Sequence, residues 1–139
     1  MITLDTNVRS EMIRPQPDAQ VVDWIDNQVQ ARLYLTSISL AETLYGIERL
    51  PIGRRRQDLS VYFGVLLKER FRSRVLCFDE ESAGTYAIVA TRREQIGRRM
   101  GTADAQIAAI CLANHATLAT RNTRGFEETG IHLIDPWTT

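Results

Sequence analysis

The sequence is short of cysteine, histidine, lysine and long apolar runs, and each shortage closes off a class of protein. Two cysteines, Cys77 in "VLCF" and Cys111 in "AICLA", make neither a disulfide framework nor a zinc-ligand spacing. Both sit in apolar sequence and read as small buried thiols, as expected of a chain in a reducing cytoplasm. The longest apolar run, residues 107–113, falls far below the ~20 residues that a membrane-spanning helix needs. The first residues also lack the basic start and apolar core of a secretion signal, so a soluble, cytoplasmic protein is expected. Glycine-rich phosphate loops are missing as well: "GRRMG" matches neither the Walker pattern nor the dinucleotide fingerprint, which argues against nucleoside triphosphates as substrates. With no repeats, no low-complexity tract and no Gly/Ser linker, residues 1–139 are expected to form one domain. That length buries a sizeable core unaided.

What is there in plenty is arginine. Formal charge is zero, yet of the 17 basic residues only Lys68 is a lysine and the other 16 are arginines. They cluster at Arg54-Arg55-Arg56, at Arg70, Arg72 and Arg74, and at Arg92, Arg93, Arg98 and Arg99. A guanidinium donates two parallel hydrogen bonds to phosphate. Any one cluster is equally a solvated helix face neutralised by Glu48, Asp58, Glu69 or Glu94; the set taken together suits a nucleic acid.

Periodicity gives an alternation of short strands and helices. Ile2, Thr3 and Leu4 read as a strand and residues 6–13 as a helix stopped by Pro15. "DAQVVDWIDNQV" spaces Val21, Val22, Ile25 and Val29 as a helix, and "ARLYLTSI" returns to strand alternation. A helix over residues 39–50 ends at Pro51. Residues 54–72 form a basic amphipathic helix carrying Leu59, Phe63, Leu66 and Leu67, and "RVLCF" is a strand. Helices over residues 80–97, with Tyr86, Val89 and Ala90 on the apolar side, and over the nearly all-apolar residues 102–115 precede the strands "ATLAT" and "IHLI". Such alternation demands right-handed crossovers, hence a three-layer α/β/α sandwich around a mainly parallel sheet of about five strands. Sites in such sheets lie beyond the carboxyl ends of the strands, where the strand order reverses.

Three acids stand where helices begin: Asp5, Glu42 in "SLAETLYG" and Asp104 in "GTADAQIAAICLA". Each has a structural alternative. Asp5 is a potential N-cap. Ser39 and Glu42 have the spacing of a capping box. Asp104 follows a possible Thr102 cap, where the helix dipole favours negative charge. Taken together they mean more, because adjacent parallel strands bring these helix starts to one edge. Carboxylates ~5 Å apart repel by about 3 kcal/mol per pair at an effective dielectric of 20, more than capping returns. Protons or a divalent cation must relieve that repulsion, and an oxygen-only site suits Mg2+, with Mn2+ also possible. His115 and His132 stand apart and read as a helix-end residue and a strand or turn residue. No histidine base is at hand, so cleavage of a phosphodiester by a cation-activated water is the natural reaction.

These segments resemble a known family. "LDTNVRSEM", "TSISLAETLYGIERL", "GTADAQIAAICLANHATLATRNTRGFE" and the closing "DPW" are similar, in that order, to a PIN domain of the VapC type, closest to FitB-like toxins. The resemblance implies an Mg2+-dependent ribonuclease that is the toxin of a type II toxin–antitoxin pair. Its metal-binding acids fall on Asp5, Glu42 and Asp104. Asn122 stands where many PIN domains have an aspartate; it offers one carbonyl oxygen and no charge, which weakens any second cation site, and its structural alternative is a turn residue. Thr6, Asn7, Thr120 and Arg121 are expected around the acids, Arg121 pairing with an acid or with phosphate. The resemblance also implies an RNA substrate, a homodimer and an antitoxin with a DNA-binding domain. The apolar faces of the helices at residues 18–29 and 54–72 are candidates for those contacts, with core packing as the alternative; Trp24 and Trp137 read as packing residues. Two other readings stay open: a haloacid-dehalogenase-type phosphohydrolase, which expects an aspartate where Asn7 stands, and a PIN-like module that binds nucleic acid or a partner without cutting.

Overall fold

The computed structural model describes residues 1–139 and contains five strands: β1 (Ile2–Leu4), β2 (Leu33–Thr36), β3 (Val75–Leu76), β4 (Thr117–Ala119) and β5 (Leu133–Ile134). All pair in parallel, in the order β3-β2-β1-β4-β5. Ile2 lies opposite Leu33 and Thr117, and Leu4 opposite Ala119. Because side chains alternate across a strand, this register sends Ile2, Leu4, Leu33, Leu35 and Ala119 to one face and Leu118 to the other. On the first face, α1 (Thr6–Ser10), α2 (Ala19–Asp26), α3 (Ser37–Glu48) and α4 (Arg54–Arg70) supply Val8, Val21, Ile25, Ile47, Phe63 and Leu66. On the second, α5 (Glu80–Gln95) and α6 (Thr102–Ala113) supply Val89, Ile107, Ala108 and Cys111, closed by Phe126. The sheet is thus covered on both sides, as parallel sheets require, and no helix is long and apolar enough to cross a membrane.

The helices start where side chains can cap them. Asp5 accepts from the Thr6 N–H, Asp18 from those of Gln20 and Val21, Thr36 from that of Ser39, and Asp79 from that of Ser82. Two expected caps are corrected. Ser39 lies inside α3, its N–H donating to Thr36 Oγ1 at 3.0 Å, so Ser39 and Glu42 form no capping box. Thr102 is already helical, and Gly101 precedes α6 without a side-chain cap. α1 is shorter than its sequence pattern. Past Ser10 the chain tightens into i to i−3 turns, with the N–H groups of Glu11 and Met12 donating to Val8 and Arg9 carbonyls at 3.1 and 2.9 Å. α5 ends ahead of Gly97, whose φ of +72° lets the chain reverse.

Cys111 is buried, but Cys77 is exposed, because the edge strand β3 stops at Leu76 before reaching it. Val29 is also exposed, since α2 ends at Asp26. The apolar faces of α2 and α4 offered for partner contacts pack instead into the core, through Val21, Ile25, Phe63 and Leu66. α4 shows solvent a different set, Val61, Tyr62 and Val65. Trp24 and Trp137 pack against the first core cluster.

Candidate active site

The sheet runs outward from β1 in two directions, to β2 and β3 on one side and to β4 and β5 on the other. The crevice beyond the carboxyl ends of β1 and β4 is therefore the switch point at which such folds bind ligands. Asp5 leaves β1 there, its N–H extending the ladder to the Ala119 carbonyl at 2.9 Å, and Thr120 leaves β4 beside it. α3 follows β2 and carries Glu42; the first turn of α6 brings Asp104. A cavity of about 300 Å3 at this edge is lined by Asp5, Thr6, Asn7, Ser10, Glu42, Asp104 and Asn122, with no apolar side chain among them. A wider groove of about 1000 Å3 runs along α4 past Ile52, Arg56, Tyr62 and Val65, but lacks a comparable set of converging carboxylates.

A hydrogen-bond network holds the acids. Asp5, 6 % exposed, accepts from the Thr6 N–H at 2.8 Å on one oxygen and from Thr120 Oγ1 at 2.8 Å on the other. Thr120 Oγ1 in turn accepts from the Asn122 N–H at 3.0 Å and from Asn7 Nδ2 at 3.4 Å. Asn7 Oδ1 accepts from the Arg121 N–H at 3.2 Å. Thr6 Oγ1 reaches across to α3 and donates to Glu42 Oε1 at 2.9 Å. This bond occupies Glu42 in place of the absent capping box. Asn122 Oδ1 accepts from the Gly125 N–H at 3.2 Å, so the residue caps the 3-10 turn Thr123–Phe126 while it lines the cavity.

Charge is crowded here. Burial raises the Asp5 carboxyl above its ordinary range despite the bonds from Thr120 and Thr6, and the charges of Asp104 and Glu42 add to the rise. Burial also raises Asp104, with Glu42 adding to it. The side chains do not stand in a closed cage: no three of His, Cys, Asp or Glu are gathered tightly enough to hold an ion as they are. Mutual repulsion and the Thr6 tether on Glu42 oppose such closure. The donors nevertheless fit a hard divalent cation. They are carboxylate oxygens around one polar cavity, two of the carboxyls raised by burial, with Glu42 exposed and Asp104 half-buried at its rim.

One expectation for the neighbouring residues changes. Arg121 pairs with no acid; its guanidinium lies over the Trp137 ring at 5.0 Å, a cation–π contact. Asn7, which stands where a phosphohydrolase needs its second aspartate, spends its side chain on Arg121 and Thr120. Two residues escaped the sequence pattern. Ser10 lines the cavity, its hydroxyl donating to the Thr6 carbonyl at 2.7 Å. Arg9 is 2 % exposed, and burial lowers its guanidinium to about 10 while the Glu42 charge opposes the drop, so it stays charged at neutral pH. A five-residue helix holds too few turns for hydrophobic periodicity to say which way either side chain faces.

The chain is similar to known proteins over nearly its whole length. The PIN domain family model matches residues 2–131. The plasmid stability protein StbB of Pseudomonas syringae pv. tomato is 45 % identical over 137 residues, covering 99 % of both chains. The VapC ribonuclease Y4jK of Sinorhizobium fredii is 38 % identical over 99 % of this chain and 98 % of its own. Among solved structures, FitAB bound to an IR36 DNA fragment contains a chain that superposes with a TM-score of 0.93 at 36 % identity, covering 99 % of this chain and 96 % of that one.

Proposed function

The chain belongs to the PIN-domain family, and from that premise we propose that it is a VapC-type toxin, a metal-dependent endoribonuclease of a toxin–antitoxin system. In this reading Asp5, Glu42 and Asp104 hold Mg2+ or Mn2+, and RNA is the substrate. One observation carries it: carboxylates from three segments far apart in the chain share a polar cavity at the switch point of a parallel sheet. The cap that Asp5 gives α1 and the helix-dipole position of Asp104 stabilise each acid singly, not their convergence on one cavity.

The residues divide the work as follows. Asp5 is the fixed wall of the site, because the Thr6 N–H and the Thr120 hydroxyl fix both its oxygens. Glu42 and Asp104 are the adjustable walls, and the Thr6 hydroxyl limits the rotation of Glu42. Thr120 joins the network to Asn7 and Asn122 and so keeps the ends of β1 and β4 in register. Asn122 supplies a polar, uncharged lining through its amide nitrogen, which no group in the chain engages. A divalent cation, when bound, lowers the pKa of water and offsets the negative charge that builds on the phosphate. Burial of Asp5 in the rigid half of the site keeps its carboxylate from wandering while that charge develops.

For partners, this reading takes an antitoxin carrying a DNA-binding domain, a second copy of the chain, and a cytoplasmic setting. The antitoxin draws support from the FitAB complex on DNA. Purified protein incubated with RNA and Mg2+ should cut it, with cleavage lost on chelation and in Asp5→Asn. RNA binding that persists in wild type without any cleavage would replace the enzyme with a binding module.

A further inference from the structure

The chain contains two deeply buried arginines, and they are treated very differently. Arg93, 4 % exposed, donates to the carbonyls of Arg98, Gly125 and Glu127 at 2.6, 3.1 and 2.6 Å. This is how a guanidinium is made tolerable inside a protein. Arg9, 2 % exposed, has no such partners: its Nε and Nη1 are buried and unbonded, and its guanidinium lies 5.3 Å from the centre of the Phe63 ring. A methionine or leucine would fill the same space with no charge to desolvate. The charge is therefore retained for something other than packing.

Its neighbours indicate what. Arg9 lies three residues after Thr6 on α1, so the two share a helix face, and the Thr6 hydroxyl on that face holds Glu42. Burial lowers the Arg9 guanidinium, and the Glu42 carboxylate opposes that drop, although the two form no direct ion pair. We propose that Arg9 is a resident counter-charge of the acid cavity, a positioning residue acting on Glu42 that leaves the cavity with the net charge of a single divalent cation. With all three carboxylates deprotonated, as holding a cation requires, one guanidinium leaves two negative charges. Asn122 adds none where a fourth acid would have. The cavity thus takes one cation, with an affinity moderated by a positive charge held behind α1, over Phe63. This inference rests on the metal-binding reading of the cavity.

Calorimetric titration of the full chain with Mn2+ tests it without any activity assay. Wild type should bind one ion per chain. Arg9→Met should bind it roughly tenfold more tightly, the sign and scale expected when a unit charge several ångströms away is removed at an intermediate dielectric. Arg9→Lys, which restores the charge, should return to the wild-type affinity. Arg9→Gln repeats the neutral substitution with a polar side chain should the apolar one fail to fold. Two ions per wild-type chain, unchanged affinity in Arg9→Met, or a lysine variant that behaves like the methionine variant would each overturn the proposal and leave the metal site standing. Absence of any binding by wild type would overturn the metal site as well.

Discussion

Asp104 is the residue at which the unrelieved charge of the cavity is easiest to measure, because no hydrogen bond complicates its replacement. Its carboxyl is raised in the fold by burial and by Glu42, so the folded chain keeps this proton to a higher pH than the unfolded chain does. The sign follows from linkage. This group favours the folded state most below the unfolded pKa, and that advantage disappears as pH rises through the raised folded value; Asp5 acts in the same direction. Asp104→Asn should therefore melt a few degrees above wild type at neutral pH in chelator. The gap should close toward about pH 4, near the ordinary carboxylate range. Thermal melts across pH check it, and a variant that melts lower at neutral pH contradicts it. At this scale the sequence was informative about the acids and silent about the arginine. Asp5 and Asn122 follow the ends of β1 and β4, while Glu42 and Asp104 lie in the early turns of α3 and α6, and the sheet topology brings these positions to one edge. Arg9 looks like any surface arginine in a one-dimensional pattern, and only tertiary packing under Phe63 separates it from the others.

At the scale of the element, α3 transmits strand geometry to the site. Thr36 ends β2, caps α3 through the Ser39 N–H, and shares a 2.8 Å hydroxyl contact with Ser39. Thr36→Ala should destabilise the protein by about 1 kcal/mol, the usual loss for a threonine cap. It should also weaken cation binding by letting the helix that bears Glu42 shift; Thr36→Ser should restore both. Denaturant unfolding and metal titration measure the two effects, and a stability loss with unchanged metal affinity would separate the cap from the site. The helix itself was legible, but its start was not. "TSIS" offers three candidates for the cap, Thr36, Ser37 and Ser39, and the choice falls to Thr36 because the strand delivers that residue in an extended conformation, φ −98° and ψ 155°. Short edge strands were equally hard to bound. "RVLCF" has strand composition throughout, yet only Val75 and Leu76 find a neighbour to pair with.

For the whole molecule, the two cysteines report on different depths of the fold. Burial pushes the Cys111 thiol up to about 12, and it lies on α6 against the central sheet, whereas Cys77 is exposed beyond the edge strand. A thiol reagent at neutral pH should modify Cys77 at once and Cys111 only at the rate of global opening. Mass spectrometry of the labelled chain checks this; fast labelling of Cys111 would mean that α6 detaches locally. The layered parallel architecture was readable from the alternation of strands and helices, because a parallel sheet permits few connections. The pairing of β1 with β4 was not, since it joins residues more than a hundred positions apart.

That same pairing sets an order of events during translation. The central strand β1 is synthesised more than a hundred residues before its neighbour β4, so a nascent chain holds Asp5 long before Thr120 has left the ribosomal tunnel. The acid cavity is therefore assembled only after β4 has emerged, and a chain halted before it holds Asp5 without its Thr120 partner.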